Sequence, residues 1–208
     1  MALKALPWSF FVGSLGFATQ SLTSSSSLVT KIYFPREVLP LASTIAHAFD
    51  AAIGATALLI VLPLVGLQYG AALAWLPVLA GCAFMFTAGV ALVTSCANLF
   101  LRDVKYVVQV FLTFGIFFTP VFFEPQMFGP TGARLMMINP MAPLLEGIRL
   151  AVVHDHWLLQ PLEVAGRTGT IVVWSPLYLA YSVACAVAAT AVGLIVFHRA
   201  ETKFAEYV

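Results

Sequence analysis

Charge is what this sequence has least of. Asp, Glu, Lys and Arg make up 9% of its 208 residues, against about 25% in an ordinary soluble domain. Hydrophobic residues make up 61%. A water-facing surface cannot be assembled from that supply, so a soluble fold is excluded. The few charges are clustered and leave apolar stretches close to the roughly 20 residues a helix needs to cross a bilayer. An all-α integral membrane protein is therefore expected.

Other scarcities exclude particular chemistries. The formal net charge is +1 and no basic tract occurs, so nothing can neutralise a run of phosphates, and nucleic-acid binding is set aside. The three cysteines, Cys82, Cys96 and Cys185, lie inside apolar segments with no CxxC or Cys/His spacing. They read as small buried side chains. His154, Asp155 and His156 are adjacent on a loop without a distant third ligand, so neither a metal nor a cofactor is expected and this loop reads as solvated. A nucleotide-cradling GxxxxGK[ST] loop is missing, so any ATP-driven work must come from a partner. The apolar start is not followed by a clean small-residue cleavage site, which makes it a spanning helix rather than a signal peptide.

What is present is a series of five predicted spans, at 6–24, 41–67, 73–99, 107–123 and 171–197, with no separate soluble domain. The first is the least apolar, carrying Thr19, Gln20, Ser21 and Thr23, and is expected to face protein or a pore. Residues 124–170 mix short apolar pieces with Pro125, Pro130, Pro140, Pro143 and Pro161, a pattern that predicts re-entrant or interfacial helices. Lys31, Arg36, Arg102, Lys105, Arg199 and Lys203 fall on one side of this topology, and Lys4, Arg134, Arg149 and Arg167 on the other. The first group hugs the span ends, which makes its side cytoplasmic. The amino terminus is then outside, an arrangement that a missing first helix would explain.

Four features carry functional weight. Residues 28–43, LVTKIYFPREVLPLAS, offer Ile32, Tyr33 and Phe34 as apolar knobs and Lys31, Arg36 and Glu37 as polar edges. Such a segment suits either a partner's groove or the headgroup layer. Phe111, Phe114, Phe118 and Phe122 recur at helical spacing and predict one stripe down the fourth span, either as packing bulk or as an aromatic surface for sugar rings. His47 and Asp50 form an ionisable pair inside a span, where a functional role is the default hypothesis. Residues 138–149, INPMAPLLEGIR, predict a helix capped by Asn139, started by Pro140, and carrying Glu146 and Arg149 one turn apart.

The chain resembles the ABC-2 type permeases that export lipid-linked polysaccharides such as O-antigen, capsule or teichoic acid. LPW at 6–8, KIYFPREVLPLA at 31–42, NLFLRDVKYVV at 98–108, TPVFF at 119–123 and INPMAPLLEGIR at 138–149 carry the resemblance, in the family's order and spacing over nearly the whole chain. It implies that 1–208 is one transmembrane domain lacking the family's N-terminal amphipathic helix and first transmembrane helix. By the same resemblance 28–40 is an ATPase-coupling segment with Lys31, Tyr33, Phe34, Pro35, Arg36 and Glu37 as its contacts. Phe111, Phe114, Phe118 and Phe122 would line a channel. Residues 124–170 would be an outer gate region, with Glu124, Arg134, Glu146 and Arg149 setting its polarity. The implied assembly is a homodimer with two copies of a separate ABC-type ATPase in the bacterial cytoplasmic (inner) membrane, moving a lipid-linked glycan outward. An ABC-2 exporter of a small molecule or drug is the alternative, followed by an ion-coupled carrier using His47 and Asp50, although no inverted repeat is visible.

Overall fold

The computed structural model describes residues 2–25, 35–166, 169–201 and 204. Seven α-helices and one hairpin organise them: α1 (Ala2–Ser24), α2 (Val38–Leu64), α3 (Leu76–Phe100) preceded by a 3-10 turn at Ala71–Trp75, α4 (Val104–Gly115), α5 (Gly129–Met136) preceded by a 3-10 turn at Pro125–Phe128, α6 (Met141–Val153), β1 (Leu162–Gly166), β2 (Gly169–Trp174) and α7 (Pro176–Glu201).

Three helical segments among the described residues are long and apolar enough to cross a membrane: Val38–Leu64, Ala71–Phe100 and Pro176–Glu201. Helix α1 has the length but not the apolarity, since it carries Lys4 and a series of hydroxyl and amide side chains, several of which are turned back on its own backbone. Thr19 Oγ1 donates to Leu15 O at 2.6 Å and Ser21 Oγ to Ala18 O at 2.7 Å, which removes the cost of carrying hydroxyls in an apolar setting. This helix is central. It packs on α2, α3, α4 and α6, as its polarity led us to expect.

The most extensive helix contact is α3 with α7. Gly89 and Gly193 make it possible: a Cβ on Gly89 would lie 2.3 Å from the Ala189 carbonyl carbon, and one on Gly193 would lie 2.5 Å from Gly89 O. Small residues bring helix backbones this close where no hydrophobic effect drives association. Thr190 Oγ1 adds an interhelical bond to Met85 O at 2.8 Å. By contrast α2 hangs on the outside, with only Pro40 and Thr44 buried.

Two elements differ from expectation. The fourth span, read as 107–123, is a helix only to Gly115; residues 116–123 continue as turns, with Thr119 Oγ1 donating to Gly115 O at 2.8 Å. The last span, read as 171–197, begins at Pro176, because 169–174 pair with 162–166 in an antiparallel hairpin. Its β-branched run Thr170-Ile171-Val172-Val173 favours strand, and averaged hydropathy had merged it with the helix that follows.

Candidate functional site

Polar and charged groups gather at two opposite ends of the bundle. At one end, the start of α1 meets the middle of α6 and the segment around Glu124. Glu146 is fully buried and is held between two cations. Its Oε2 lies 2.7 Å from Lys4 Nζ, and its Oε1 accepts from Arg149 Nε at 2.9 Å and Nη2 at 2.5 Å. Arg149 Nη1 reaches Glu124 Oε1 at 2.6 Å. Glu124 also accepts from Gln126, and Lys4 Nζ donates to Phe123 O at 3.1 Å. Two acids and two bases therefore form a neutral chain in which every charge has an opposite neighbour, the condition for burial in low dielectric.

The sequence foresaw the Glu146–Arg149 pair, since positions three apart on a helix face each other. It also named Glu124, which the structure brings to the same cluster. Arg134 is not in it: it is exposed on α5 and lies away from these partners. Lys4 is the member that sequence reasoning missed. Its signal was a lone cation near the start of an apolar helix, a position that a charge takes only with a partner or at the membrane surface.

The start of α6 is fixed beside this cluster. The helix begins one residue later than expected, with Pro140 rather than Asn139 at the N-cap position; Asn139 Oδ1 still accepts from Met141 N at 3.1 Å in the turn leading into it, and its Nδ2 donates to Thr119 Oγ1 at 2.7 Å. Tyr181 Oη donates to Ile138 O at 2.6 Å and Ser182 Oγ to Pro140 O at 3.0 Å, tying the segment to α7. Trp174, at the end of the hairpin, is buried and donates from its indole to Leu158 O at 2.8 Å.

Loop 154–156 is built rather than simply solvated. Asp155 adopts φ 46° and its Oδ1 accepts from Ala72 N at 2.8 Å. Its carboxylate fills the space where a Cβ on Gly70 would sit. Trp75 and Trp157 meet edge to face beside it at 5.6 Å. His154 Nε2 lies 3.4 Å from Arg149 Nη1 and His156 contacts Gln160 O. Among the described residues no group of three His, Cys, Asp or Glu side chains is placed to hold a metal ion.

At the opposite end, Lys31, Tyr33 and Phe34 lie outside the described residues. Pro35, Arg36 and Glu37 form the turn that opens α2, with Val38 N donating to Pro35 O and Leu41 N to Glu37 O, both at 3.2 Å. Arg36 Nη1 donates to Glu201 O at 2.9 Å, at the last turn of α7, and its guanidinium lies 5.9 Å from the centre of the Phe204 ring. Phe204 is buried, edge-on to Phe197 at 5.2 Å, within a cluster of Leu22, Leu92, Cys96 and Leu99. Asn98, also buried, accepts from Lys105 N at 3.0 Å and so fixes the turn between α3 and α4.

The four phenylalanines do not form one stripe on one helix. Phe111 and Phe114 are on α4, whereas Phe118 and Phe122 lie in the turns beyond it. All four are nevertheless among the exposed hydrophobics, Phe111 at 74% and Phe118 at 73%. Phe118 and Phe117 wall a recess of about 500 Å³ together with Phe128, Leu135 and Ile138. His47 and Asp50 stand 3.9 Å apart on α2, with His47 against Phe17 and Asp50 exposed.

The sequence is similar to known proteins over most of its length. The O-antigen export system permease protein RfbA of Myxococcus xanthus is 26% identical over 183 residues, which is 84% of this chain and 68% of that protein. Two permeases of the same name from Klebsiella pneumoniae are 23% and 22% identical over 201 residues, 96% of this chain and 71% of each. The chain is a relative of the O-antigen export permeases. No family model matches it. The kinship with ABC-2 type permeases that the motifs suggested is supported by these relatives, and the multi-pass character follows from them together with the three apolar segments.

Proposed function

We propose that this chain is the membrane-spanning permease subunit of an ATP-driven exporter that moves a lipid-linked polysaccharide outward across the bacterial inner membrane. The observation that carries the reading is similarity to O-antigen export permeases along 84–96% of the chain. The bundle crosses the membrane five times, α1 and the 104–123 segment adding to the three apolar crossings. Helix α1 qualifies because its hydroxyls are satisfied internally. Two permeases associate as a homodimer with two copies of a separate ABC-type ATPase, and hydrolysis occurs there rather than in this subunit.

In this reading residues 28–40 are the coupling segment on the cytoplasmic side, with Lys31, Tyr33, Phe34, Pro35, Arg36 and Glu37 as its working side chains. The exposed face of Phe111, Phe114, Phe118 and Phe122 becomes the channel wall between permease subunits. Sugar rings stack on such faces with tolerance for sequence and length, as flat apolar surfaces do generally. Region 124–170 closes the outer mouth, and the ion-paired cluster of Lys4, Glu124, Glu146 and Arg149 gives that closure a fixed shape. An ion-coupled carrier is disfavoured because Asp50 is 74% exposed on the outermost helix, away from any enclosed midplane site.

The test is co-expression with an ABC ATPase of the polysaccharide-export class, followed by purification and by ATP-dependent transfer of lipid-linked O-antigen in inverted vesicles. Tyr33→Ala with Phe34→Ala is expected to abolish co-purification and transfer. Transfer that proceeds without ATP, or a complex that survives both substitutions, would overturn the assignment.

A further inference from the structure

We infer that helix α7 is the rod linking the coupling segment to the outer closure, and that Arg36 is the positioning residue by which its inner end is gripped. The inference rests on the coupling role proposed for 28–40, and adds a path and a residue to it.

Arg36 is among the proposed ATPase contacts, and within this chain its Nη1 donates to the Glu201 carbonyl of α7 at 2.9 Å and its guanidinium lies 5.9 Å from the centre of the Phe204 ring. A guanidinium offers five N–H donors in a fixed fork, and a charge-assisted bond to a carbonyl is stronger than a neutral one, so it is well suited to hold this point of α7. Phe204 is itself buried beside Phe197, with Leu39 and Leu41 of α2 packed on the same cluster. A displacement of the turn at 35–37 is therefore delivered to the end of α7 by a directed bond and a packed ring.

At the other end α7 holds the outer segment just as specifically. Tyr181 and Ser182 donate to Ile138 O and Pro140 O, the two residues that flank Asn139 at the start of α6. Helix α7 runs unbroken over 26 residues, and the stretch from Tyr181 to Glu201 between the grips spans about 30 Å at 1.5 Å per residue. Its bed also permits sliding. Gly89 and Gly193 put backbone on backbone where the two helices meet, and Thr190, which bonds Met85 O across the interface, has Ala186 O on its own helix at 2.9 Å as a second acceptor. Small shear between packed helices is an established mode of domain movement.

The path is tested on the complex of permease and co-expressed ATPase in phosphatidylethanolamine–phosphatidylglycerol liposomes. Cys82, Cys96 and Cys185 are replaced by alanine, and Ile138→Cys, at an exposed position, is labelled by a membrane-impermeant maleimide with and without ATP. The parent is expected to change its labelling rate on ATP addition. Arg36→Ala and Tyr181→Phe should each lose that change, Tyr181→Phe with the ATPase still bound and hydrolysing, Arg36→Lys should restore it, and the double variant should be no worse than either single one. An undiminished ATP response in Arg36→Ala with the ATPase bound would overturn the rod and leave the coupling segment standing. Undiminished ATPase binding after Tyr33→Ala with Phe34→Ala would overturn the coupling segment and the rod with it.

Discussion

Glu146 shows how a single side chain organises one end of the molecule. It is fully buried, and both its oxygens are engaged by cations, Lys4 from the first helix and Arg149 from one turn ahead. Removing its charge leaves Lys4, at 3% exposure, and Arg149 without their counter-ion, and breaking a buried pair from one side costs about 3–5 kcal/mol. Glu146→Gln should lower the detergent-solubilised melting temperature accordingly, whereas Arg134→Ala, on the exposed side of α5, should change it little. Half of this cluster was legible in the sequence, since Glu146 and Arg149 share a helix face by spacing alone. Lys4 was not, because no local period links the start of the chain to a residue near its middle. Asp50 gives the reverse lesson. Its acidity in a span suggested a functional carboxylate, yet its position on the periphery predicts that Asp50→Asn leaves ATP-driven transport in vesicles unchanged.

At the scale of elements, the α3–α7 pair is held by glycine rather than by bulk. Gly89→Val would drive a branched side chain into the α7 backbone, where even a Cβ lies 2.3 Å from the Ala189 carbonyl carbon. A cost of about 3 kcal/mol, the upper range for overpacking, is expected as loss of folded protein by size exclusion. Gly81→Ala on the same helix meets open space and should be neutral or stabilising by up to about 1 kcal/mol, through helix propensity. Helix positions were readable from hydropathy, and α1, α2 and α3 fall close to where the apolar runs placed them. The two misreadings have one cause. Hydropathy reports how apolar a stretch is and not what its backbone does, so Ile116–Phe123 passed for helix although Thr119 and Pro120 interrupt it, and the strand at Gly169–Trp174 passed for the first turns of α7. Gly166 and Gly169, bracketing two residues just ahead of a β-branched run, were the available hairpin signal.

For the whole molecule, the exposed phenylalanines separate a channel wall from ordinary lipid-facing bulk. If Phe111 and Phe118 meet passing sugar, alanine at both positions should reduce ATP-dependent glycan transfer in vesicles while leaving ATPase association and melting temperature unchanged. They are among the most exposed aromatics of the chain and contribute little to its core. Equal transfer by this variant and its parent would place the wall elsewhere. The two-ended distribution of charge, with Arg36, Lys105 and Arg199 at one end and Lys4, Glu124, Glu146 and Arg149 at the other, was foreseeable from the spacing of charges. The bonds that join the two ends through α7 were not, because Tyr181 and Ser182 look like unremarkable polar residues until their partners are in view, and nothing local links Arg36 to Glu201.

Helix α2 has a consequence of its own. It packs on α1 and α3, yet only Pro40 and Thr44 are buried, so most of its surface is left to whatever surrounds the bundle. Its 27 residues reach about 40 Å at 1.5 Å per residue, whereas the hydrocarbon layer measures about 30 Å. The excess is accommodated by tilt or by local thickening of the bilayer. Because α2 begins directly at the Pro35–Glu37 turn, a change of membrane thickness would alter the angle at which that turn sits at the membrane face. Bilayer composition thereby becomes a setting on the transporter, applied from outside any binding site.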